Sequence, residues 1–277
     1  MDLKKVFADL KNNLPNLEIY QNHPLAPYTT VKIGGPADIF IHTHNSDEFL
    51  SVLKFISEFK ATIIILGNGS NVLISDSGIR GIVIKNDSQE VELLPENKVK
   101  VSSGTQLSYL INFTLDHNLL GLEEFAYIPS TIGGAIAGNI HGFRSHFSDY
   151  VESVEKYNDF IISAVLKLNS GDSAQAKIEV KETIQKKSSV QSTISTGSIF
   201  KNPIDKDPAG QIIDKQLNLK GHSTGDAQIS PLHANFIINN GKATAKDYLA
   251  LINLIQSKTQ ETLGFQFELE IKLLGQF

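Results

Sequence analysis

The segment from residue 63 to residue 76, IIILGNGSNVLISD, constrains the fold of this chain more than any other. An apolar, β-branched run ends in the loop Gly67, Asn68, Gly69, Ser70, Asn71, and a second apolar run follows. β-Branched runs bounded by Gly and Asn predict strands joined by a tight loop. The glycines permit a close approach of the backbone to a ligand, and successive N–H groups form an anion-binding concavity. We therefore predict a phosphate-binding loop.

This loop differs from two common phosphate-binding motifs. A Rossmann fingerprint needs a third glycine and a helix directly after the loop, whereas Val72 opens a predicted strand. A P-loop needs a Gly-Lys-Ser/Thr ending, which the segment lacks. A bare Gly-x-Gly pair is also compatible with an ordinary hairpin turn, so both interpretations stay open for the loop considered alone.

The composition limits the functional class. With 277 residues, the chain is long enough for two domains. A net charge of −5 argues against general nucleic-acid binding. The absence of cysteine excludes disulfides, thiolate metal sites and a thiol nucleophile, and it suits a reducing cytoplasm. No apolar run approaches the roughly 20 residues that a membrane span needs, and we predict no metal site.

The hydrophobic pattern predicts alternating helices and strands, and therefore the α+β or α/β class. Helices are predicted at residues 1–14, 47–59, 107–118 and 244–263, and a helix or solvated connector at 171–193. Strands are predicted at residues 37–43, 63–66, 72–74, 81–85, 91–102 (a hairpin), 151–169 and 265–274. The last of these carries Glu268 and Glu270 on one face. We place a domain boundary near residue 190.

A second glycine-rich segment, GLEEFAYIPSTIGGAIAGNIHG, occupies residues 121–142. Its centre predicts a loop that runs into the N-terminus of a helix, where backbone N–H groups would face an anion or a polarised oxygen. A packing segment without a ligand is the alternative. Two glycine-rich loops in one chain fit one long diphosphate cofactor.

Several segments of the chain resemble the UDP-N-acetylenolpyruvoylglucosamine reductases, also called UDP-N-acetylmuramate dehydrogenases. They are PYTTVKIGGPADIF, ILGNGSNVLISDSGIRGIVI, GLEEFAYIPSTIGGAIAGN, TGSIFKNP, AGQIID, LKGHSTGDAQISPLHANFIIN and FELEIKLLG. They follow the family order across nearly the whole chain, and TGSIFKNP together with HANFIIN is the most specific pair. The resemblance implies an α+β protein. A vanillyl-alcohol-oxidase (PCMH)-type FAD-binding region would cover residues 1–190, with an N-terminal subdomain at 1–60, and a smaller α/β substrate-binding domain would cover residues 191–277.

The resemblance also implies a reaction and its cofactors. FAD and NADPH would reduce the UDP-linked enolpyruvyl amino sugar to UDP-N-acetylmuramate in peptidoglycan precursor synthesis, and so serve cell wall biogenesis, cell shape and cell division. The expected partner is this small molecule, with neither nucleic acid nor membrane, and the expected protein is a cytoplasmic monomer. The FAD-binding residues implied by the resemblance are Gly67, Asn68, Gly69, Ser70, Asn71, Ile128, Pro129, Ser130, Thr131, Gly133, Gly134 and Asn139.

The resemblance implies roles for residues near the C-terminus as well. Ser198 matches the proton donor, and Glu270 matches a glutamate that orients or activates the centre; a turn serine and a solvated strand carboxylate are the alternatives. Lys201 and Asn202 would meet substrate phosphate or carboxylate, or belong to a surface turn. His233 and Asn235 lie among apolar residues, and we interpret His233 as a core histidine.

One part of the family pattern is missing. The family has a Tyr-Arg-x-Ser motif between two strands, and its arginine stabilises the enolate. Here VESVE is followed almost directly by the next strand, and the only arginines are Arg80 and Arg144. Arg144 either replaces the missing cation or is a surface residue. Besides an active reductase, two other interpretations of the chain therefore stay open. One is a catalytically impaired homologue that binds FAD and the UDP-sugar, and the other is a related flavin oxidase with another substrate.

Overall fold

Helices and strands alternate along the residues that the computed structural model describes, 3–188 and 194–277. The helices are α1 (Leu3–Asn13), α2 (Ser46–Ile56), α3 (Leu107–Asp116), α4 (Ile132–Gly138), α5 (Ser173–Ser188), α6 (Ala209–Gln211) and α7 (Ala245–Leu263). The strands are β1 (Glu18–Pro24), β2 (Pro36–Thr43), β3 (Ile63–Leu66), β4 (Val72–Ile74), β5 (Ile79–Asn86), β6 (Val91–Leu94), β7 (Lys98–Ser102), β8 (Leu119–Leu120), β9 (Val151–Tyr157), β10 (Phe160–Lys167), β11 (Asn169–Ser170), β12 (Ser195–Ser198), β13 (Ser223–Thr224), β14 (Ala227–Ile229), β15 (Phe236–Asn239) and β16 (Lys272–Leu274). The predicted α+β class is confirmed. No helix within the described ranges has the length and apolar character needed to cross a membrane.

Capping residues explain where two predicted helices begin. The side chain of Asn45 accepts a hydrogen bond from the Glu48 N–H, which starts α2. Thr244 and Asp247 form a reciprocal capping box at the start of α7. Both caps satisfy N–H groups that have no partner inside the helix. The predicted helices at 47–59 and 244–263 are therefore confirmed to within a few residues.

Contacts divide the chain into two units. Unit 1 comprises Met1–Gln21, Asp38–Asn68 and Gly81–Lys187, and unit 2 comprises Asn22–Ala37, Gly69–Arg80 and Ser188–Phe277. Unit 2 therefore takes two segments from the N-terminal third of the chain. The predicted boundary near residue 190 lies outside the described residues, and the division into functional domains 1–190 and 191–277 stays a prediction.

Unit 1 contains two four-stranded sheets, ordered β1-β2-β5-β3 and β6-β7-β10-β9. The first packs against α1 and α2 around Ile39, Ile41 and Phe49, while the second shares a separate core with α3 and α4. β9 and β10 form an antiparallel hairpin in which Tyr157 pairs with Phe160. A turn of two residues, Asn158 and Asp159, closes this hairpin where the family pattern has its missing segment.

Unit 2 contains the four-stranded sheet β12-β15-β14-β13 and the parallel pair β16-β4. α7 contributes its apolar side to the core of this unit, where Tyr248 is fully buried. The Tyr248 hydroxyl donates to the Ile237 carbonyl oxygen at 2.9 Å and lies 2.7 Å from Thr196 Oγ1. Burial raises the pKa of Tyr248 far above its ordinary value, so the hydroxyl stays protonated and joins α7 to β12 and β15.

Two sequence expectations need correction. The hairpin alternative for residues 63–74 is wrong, because β3 pairs with β5 and β4 pairs with β16, each in parallel. The predicted strand at 265–274 is also wrong over most of its length. Leu269 forms an isolated antiparallel bridge with Phe200, and regular pairing with β4 begins only at Lys272. The chain changes partner between these two points, so one continuous strand cannot form.

Candidate functional site

Ser198 ends β12 in unit 2, opposite Phe236 of β15. The pairing shifts register between Ser195 and Ser198, and Gly197 has φ of +76°, a conformation that favours glycine. Such irregularities change the direction of a side chain at a strand end. Ser198 is half-buried, and its hydroxyl has no hydrogen-bond partner among the described residues. The structure thus gives no support to the turn-serine alternative, in which the hydroxyl bonds its own backbone.

Glu270 pairs through the backbone with Ile199, the residue that follows Ser198. The N–H of Glu270 donates to the Ile199 carbonyl oxygen at 2.8 Å, and the Phe200–Leu269 bridge fixes this register. Glu270 is half-buried, and its carboxylate forms no direct ion pair with a described residue. The backbones of Ser198 and Glu270 therefore lie one residue out of step on two paired segments.

The second half of the 67–71 loop contacts the segments that carry Ser198 and Glu270. The Asn71 side-chain amide donates to the Glu270 carbonyl oxygen at 3.2 Å, and the Lys272 N–H donates to the Asn71 carbonyl oxygen at 3.0 Å. A Cβ atom built on Gly197 would lie 4.0 Å from the Ser70 carbonyl oxygen. Three segments that are distant in sequence thus converge in unit 2.

Two polar residues without a functional role in the sequence analysis hold these segments in place. The buried side chain of Asn235 accepts from the Phe200 N–H at 3.1 Å and donates to the Phe200 carbonyl oxygen at 2.8 Å. Thr30 donates its hydroxyl proton to the Ser195 carbonyl oxygen at 2.6 Å and its N–H to the Gly69 carbonyl oxygen at 3.2 Å. Two sequence motifs could have drawn attention to these residues: HANF, which contains Asn235, and PYTT, which contains Thr30.

The predicted substrate-binding residues already have intramolecular partners. Lys201 pairs with the exposed Glu268, and this hydrogen bond raises the pKa of Lys201. Asn202 Oδ1 accepts from the Ala209 N–H at 2.9 Å, at the start of α6. His233 is half-buried and its Nδ1 accepts from the Asn235 N–H at 3.3 Å. The substrate-binding role of Lys201 and Asn202 stays a prediction.

In unit 1, the first half of the 67–71 loop lies against the start of α4. A Cβ atom on Gly67 would lie 2.3 Å from Thr131 Oγ1, so only glycine fits there. Thr131 is the N-cap of α4, since its hydroxyl oxygen accepts from the Gly134 N–H at 3.3 Å. The two glycine-rich segments recognised in the sequence therefore touch each other.

The expectation that the α4 N-terminus offers N–H groups to an anion is wrong. The Ile132 N–H donates to the Thr105 carbonyl oxygen at 2.9 Å, and the Gly133 N–H donates to the Ser103 carbonyl oxygen at 2.7 Å. With the Gly134 N–H bound to Thr131, the first donors of the helix are all engaged. The SSGT sequence at residues 102–105, to which the sequence analysis assigned no role, supplies these acceptors.

The 67–71 loop itself has the donors that a diphosphate needs. Within the described residues, none of the backbone N–H groups from Gly67 to Asn71 donates a hydrogen bond. Consecutive unpaired N–H groups suit an anion. On α4, Gly134, Ala137 and Gly138 are exposed, so a flat ring could approach the helix backbone closely. Each feature suits the chemistry of FAD, and the FAD-binding role of these residues stays a prediction.

The predicted replacement cation, Arg144, lies in unit 1 and is exposed. Its backbone N–H donates to Glu124 Oε2 at 2.8 Å, and the same carboxylate binds the Phe143 N–H and the Ser145 hydroxyl. Asn139, the αL C-cap of α4, accepts from the Ser148 N–H at 3.1 Å through Oδ1. A catalytic role for Arg144 stays a prediction.

Comparisons with known proteins decide the family. A model of the FAD binding domain matches residues 37–158, and a model of the UDP-N-acetylenolpyruvoylglucosamine reductase C-terminal domain matches residues 185–274. The UDP-N-acetylenolpyruvoylglucosamine reductase of Caldanaerobacter subterraneus subsp. tengcongensis is 34% identical over 96% of this chain and 97% of its own length. The chain belongs to the UDP-N-acetylenolpyruvoylglucosamine reductase family.

Two further members of the UDP-N-acetylenolpyruvoylglucosamine reductase family support this assignment. The protein of Carboxydothermus hydrogenoformans is 32% identical over 305 residues, covering 100% of both chains. This aligned length exceeds the 277 residues of the present chain, as expected if the chain lacks a segment. The crystal structure of the Thermus caldophilus enzyme has a TM-score of 0.78 and 29% identity, over 94% of this chain and 99% of that one. The predicted family and the predicted FAD-binding fold are confirmed.

Proposed function

We propose that this chain uses NADPH and FAD to reduce the UDP-linked enolpyruvyl amino sugar to UDP-N-acetylmuramate, a step of peptidoglycan precursor synthesis. The observation that carries the proposal is the convergence of Ser198, Glu270 and Asn71 in unit 2 of a chain that belongs to this reductase family. A cytoplasmic location is part of the proposal, since nucleotide-linked sugars and NADPH are metabolites of the cytoplasm, and the expected monomer stays a prediction.

FAD, when bound, supplies a hydride that it has received from NADPH. The residues of the chain have three tasks: to bind the diphosphate, to hold the substrate, and to supply a proton. The N–H groups of residues 67–71 would bind the diphosphate, because they lack acceptors within the described part of the protein. The segment from Ile128 to Asn139 would pack against the flavin through its exposed small residues.

Ser198 is the proposed proton donor. As hydride adds to one carbon of the enolpyruvyl double bond, negative charge develops on the neighbouring carbon and its carboxylate. The Ser198 hydroxyl would give its proton to that carbon, and the product then carries one added hydride and one added proton. A serine hydroxyl is a weak acid, so its polarisation by nearby groups decides the rate. The backbone of Glu270 pairs with Ile199, the residue after Ser198, and its carboxylate is the group proposed to assist this polarisation.

Substrate binding would involve Lys201 and Asn202, which follow Ser198 closely. Lys201 is exposed, and its partner Glu268 is exposed as well. Exposed ion pairs contribute little net stability, so a substrate phosphate can replace Glu268 at small cost. Asn202 keeps its two side-chain N–H donors available, because its contact with Ala209 uses only the carbonyl oxygen.

Anaerobic stopped-flow absorbance of the flavin tests this function in two steps. NADPH should bleach the bound flavin, and the enolpyruvyl sugar should then restore its colour. Ser198→Ala should leave the first step unchanged and slow the second by about 10²- to 10⁴-fold, the usual contribution of a general acid. Ser223→Ala, which changes an exposed serine of the same unit, is the matched control.

Equal reoxidation rates in Ser198→Ala and the parent protein would remove Ser198 from this role. A yellow parent protein that NADPH reduces, but that the enolpyruvyl sugar does not reoxidise, would instead favour the impaired homologue. A protein that neither contains nor takes up FAD would contradict the proposed function altogether.

A further inference from the structure

Three side chains of unit 1 that have no part in the proposed reaction come together at one edge of its first sheet. Glu18 lies on the edge strand β1, His42 lies on the neighbouring strand β2, and His44 follows the end of β2. Residues two apart on a strand point to the same side, which explains why both imidazoles meet Glu18. The sequence analysis expected no metal site; Glu18 is far from the two histidines in sequence, and the fold brings them together.

The three side chains lie close enough together to share one metal ion. His42 Nδ1 lies 3.5 Å from Glu18 Oε2, and His44 Nε2 lies 3.4 Å from Glu18 Oε1. The His44–Glu18 contact is a long hydrogen bond, and the His42–Glu18 separation exceeds the usual hydrogen-bond range of about 2.7 to 3.2 Å. Two ligand atoms bound at about 2.1 Å to a tetrahedral zinc ion lie about 3.4 Å apart. One ligand atom from each residue lies within 4.8 Å of the other two.

The neighbouring groups orient His42 as a ligand. Its Nε2 lies 2.7 Å from Asp87 Oδ2, and Asp87 also pairs with the nearly buried Lys85. A carboxylate that binds one imidazole nitrogen fixes the ring and directs the other nitrogen towards a metal. Here the other nitrogen, Nδ1, is the one that faces Glu18. The second ring nitrogen of a histidine ligand almost always bonds a carboxylate, a backbone carbonyl oxygen or water in this way.

We propose that Glu18, His42 and His44 form a binding site for a divalent late first-row transition-metal ion, with zinc as the expected occupant and Asp87 as the residue that orients His42. Two imidazoles and one carboxylate suit zinc and its neighbours, whereas magnesium and calcium prefer oxygen ligands throughout. Glu18 and His44 are half-exposed, with 50% and 51% of their side-chain surface accessible. The ion would therefore keep a water ligand, and it would join β1 to β2.

Equilibrium dialysis of the FAD-loaded, chelator-treated full chain against zinc chloride tests the site. The parent protein should bind one zinc ion per chain at this site. His44→Ala and Glu18→Gln should each weaken that binding by at least about tenfold, since each removes one ligand. His117→Ala and Glu58→Gln are the matched controls, because these exposed residues lie outside the cluster, and both should bind zinc as the parent does.

Far-UV circular dichroism and the bound-flavin spectrum verify that each variant is folded. Zinc should also raise the thermal midpoint of the parent protein as its concentration rises, because an ion that binds only the folded state stabilises it. His44→Ala should lose this dependence. The proposal is overturned if the parent binds no zinc stoichiometrically, or if the folded His44→Ala and Glu18→Gln variants bind zinc as tightly as the parent. In that case the cluster is an ordinary network of charged side chains.

Discussion

The side-chain amide of Asn71 donates a hydrogen bond to the backbone carbonyl oxygen of Glu270, over 3.2 Å and within unit 2. Asn71 ends the loop proposed to bind the diphosphate, and Glu270 follows the residue that bridges to Phe200. One asparagine thus fixes the backbone at which the proposed catalytic carboxylate is attached. The contact explains why an asparagine, with a donor and no charge, stands at the end of this loop.

The two glutamates near the C-terminus should respond differently to mutation. Glu270→Gln should slow reoxidation of the flavin by the enolpyruvyl sugar by about 10²- to 10³-fold, the usual effect of losing one electrostatic group at the reacting atoms. Glu268→Gln should change this rate little, since Glu268 is exposed and paired with Lys201. Single-turnover stopped-flow of both variants makes the comparison, and equal effects would remove the distinction between them.

Asn235 should contribute to stability through the backbone of Phe200. Asn235→Ala leaves a buried N–H and a buried carbonyl oxygen without partners. At about 1 to 3 kcal/mol for each unsatisfied group, we expect a loss of about 2 to 6 kcal/mol in the free energy of unfolding. Urea denaturation followed by circular dichroism measures it. Asn240→Ala, at an exposed asparagine, should cost much less, and a similar loss there would contradict this interpretation.

Gly67 should tolerate no side chain. Gly67→Ala would place a methyl group 2.3 Å from Thr131 Oγ1, which forces the cap of α4 to move and costs about 1 to 3 kcal/mol. Gly138→Ala is the matched control in the same unit, since its nearest neighbour would be 3.9 Å away. That change should leave the apoprotein as stable or stabilise it slightly. Thermal unfolding of the two apoproteins provides the test.

Glu124 should make stability depend on pH at the acid end. Burial alone would raise the pKa of Glu124, but hydrogen bonds from Ser145, Arg144 and Phe143 outweigh it and hold the pKa below its ordinary value of 4.5. The anion therefore stabilises the folded state above pH 4.5, and this contribution disappears as pH falls through the lower folded value.

The pH dependence of unfolding of Glu124→Gln compared with the parent provides the measurement. The parent should be the more stable protein near neutral pH, and the difference should shrink steadily below about pH 4.5. Glu58→Gln, at an exposed position of the same unit, should follow the parent at every pH. A difference between Glu124→Gln and the parent that does not change with pH would contradict the assigned role of the carboxylate.

Local patterns predicted most of the secondary structure. Periodicity and capping located α2 and α7, and β-branched runs located β3 and β4, because these signals are contained in a few neighbouring residues. Strand pairing depends on residues far away. Nothing within residues 265–274 indicates that Leu269 pairs with Phe200 whereas Lys272 pairs with Val72, so the predicted single strand was wrong there.

The candidate site was predictable in its residue types and only partly in its geometry. The motif around Ser198 and the terminal Glu270 could be identified from the sequence, and the structure brings their backbones together. The α4 N-terminus looked like an anion site, but its donors bind Ser103 and Thr105. Whether a backbone donor is already engaged depends on the tertiary fold, and a single sequence carries little information about that.

The turn between Tyr157 and Phe160 has a consequence for engineering. The strand pairing reaches these two residues, with an irregularity at Ile162, so the turn at Asn158 and Asp159 is a position where the longer segment of a relative can be inserted. A chimera of this kind would measure directly what the inserted segment adds to turnover.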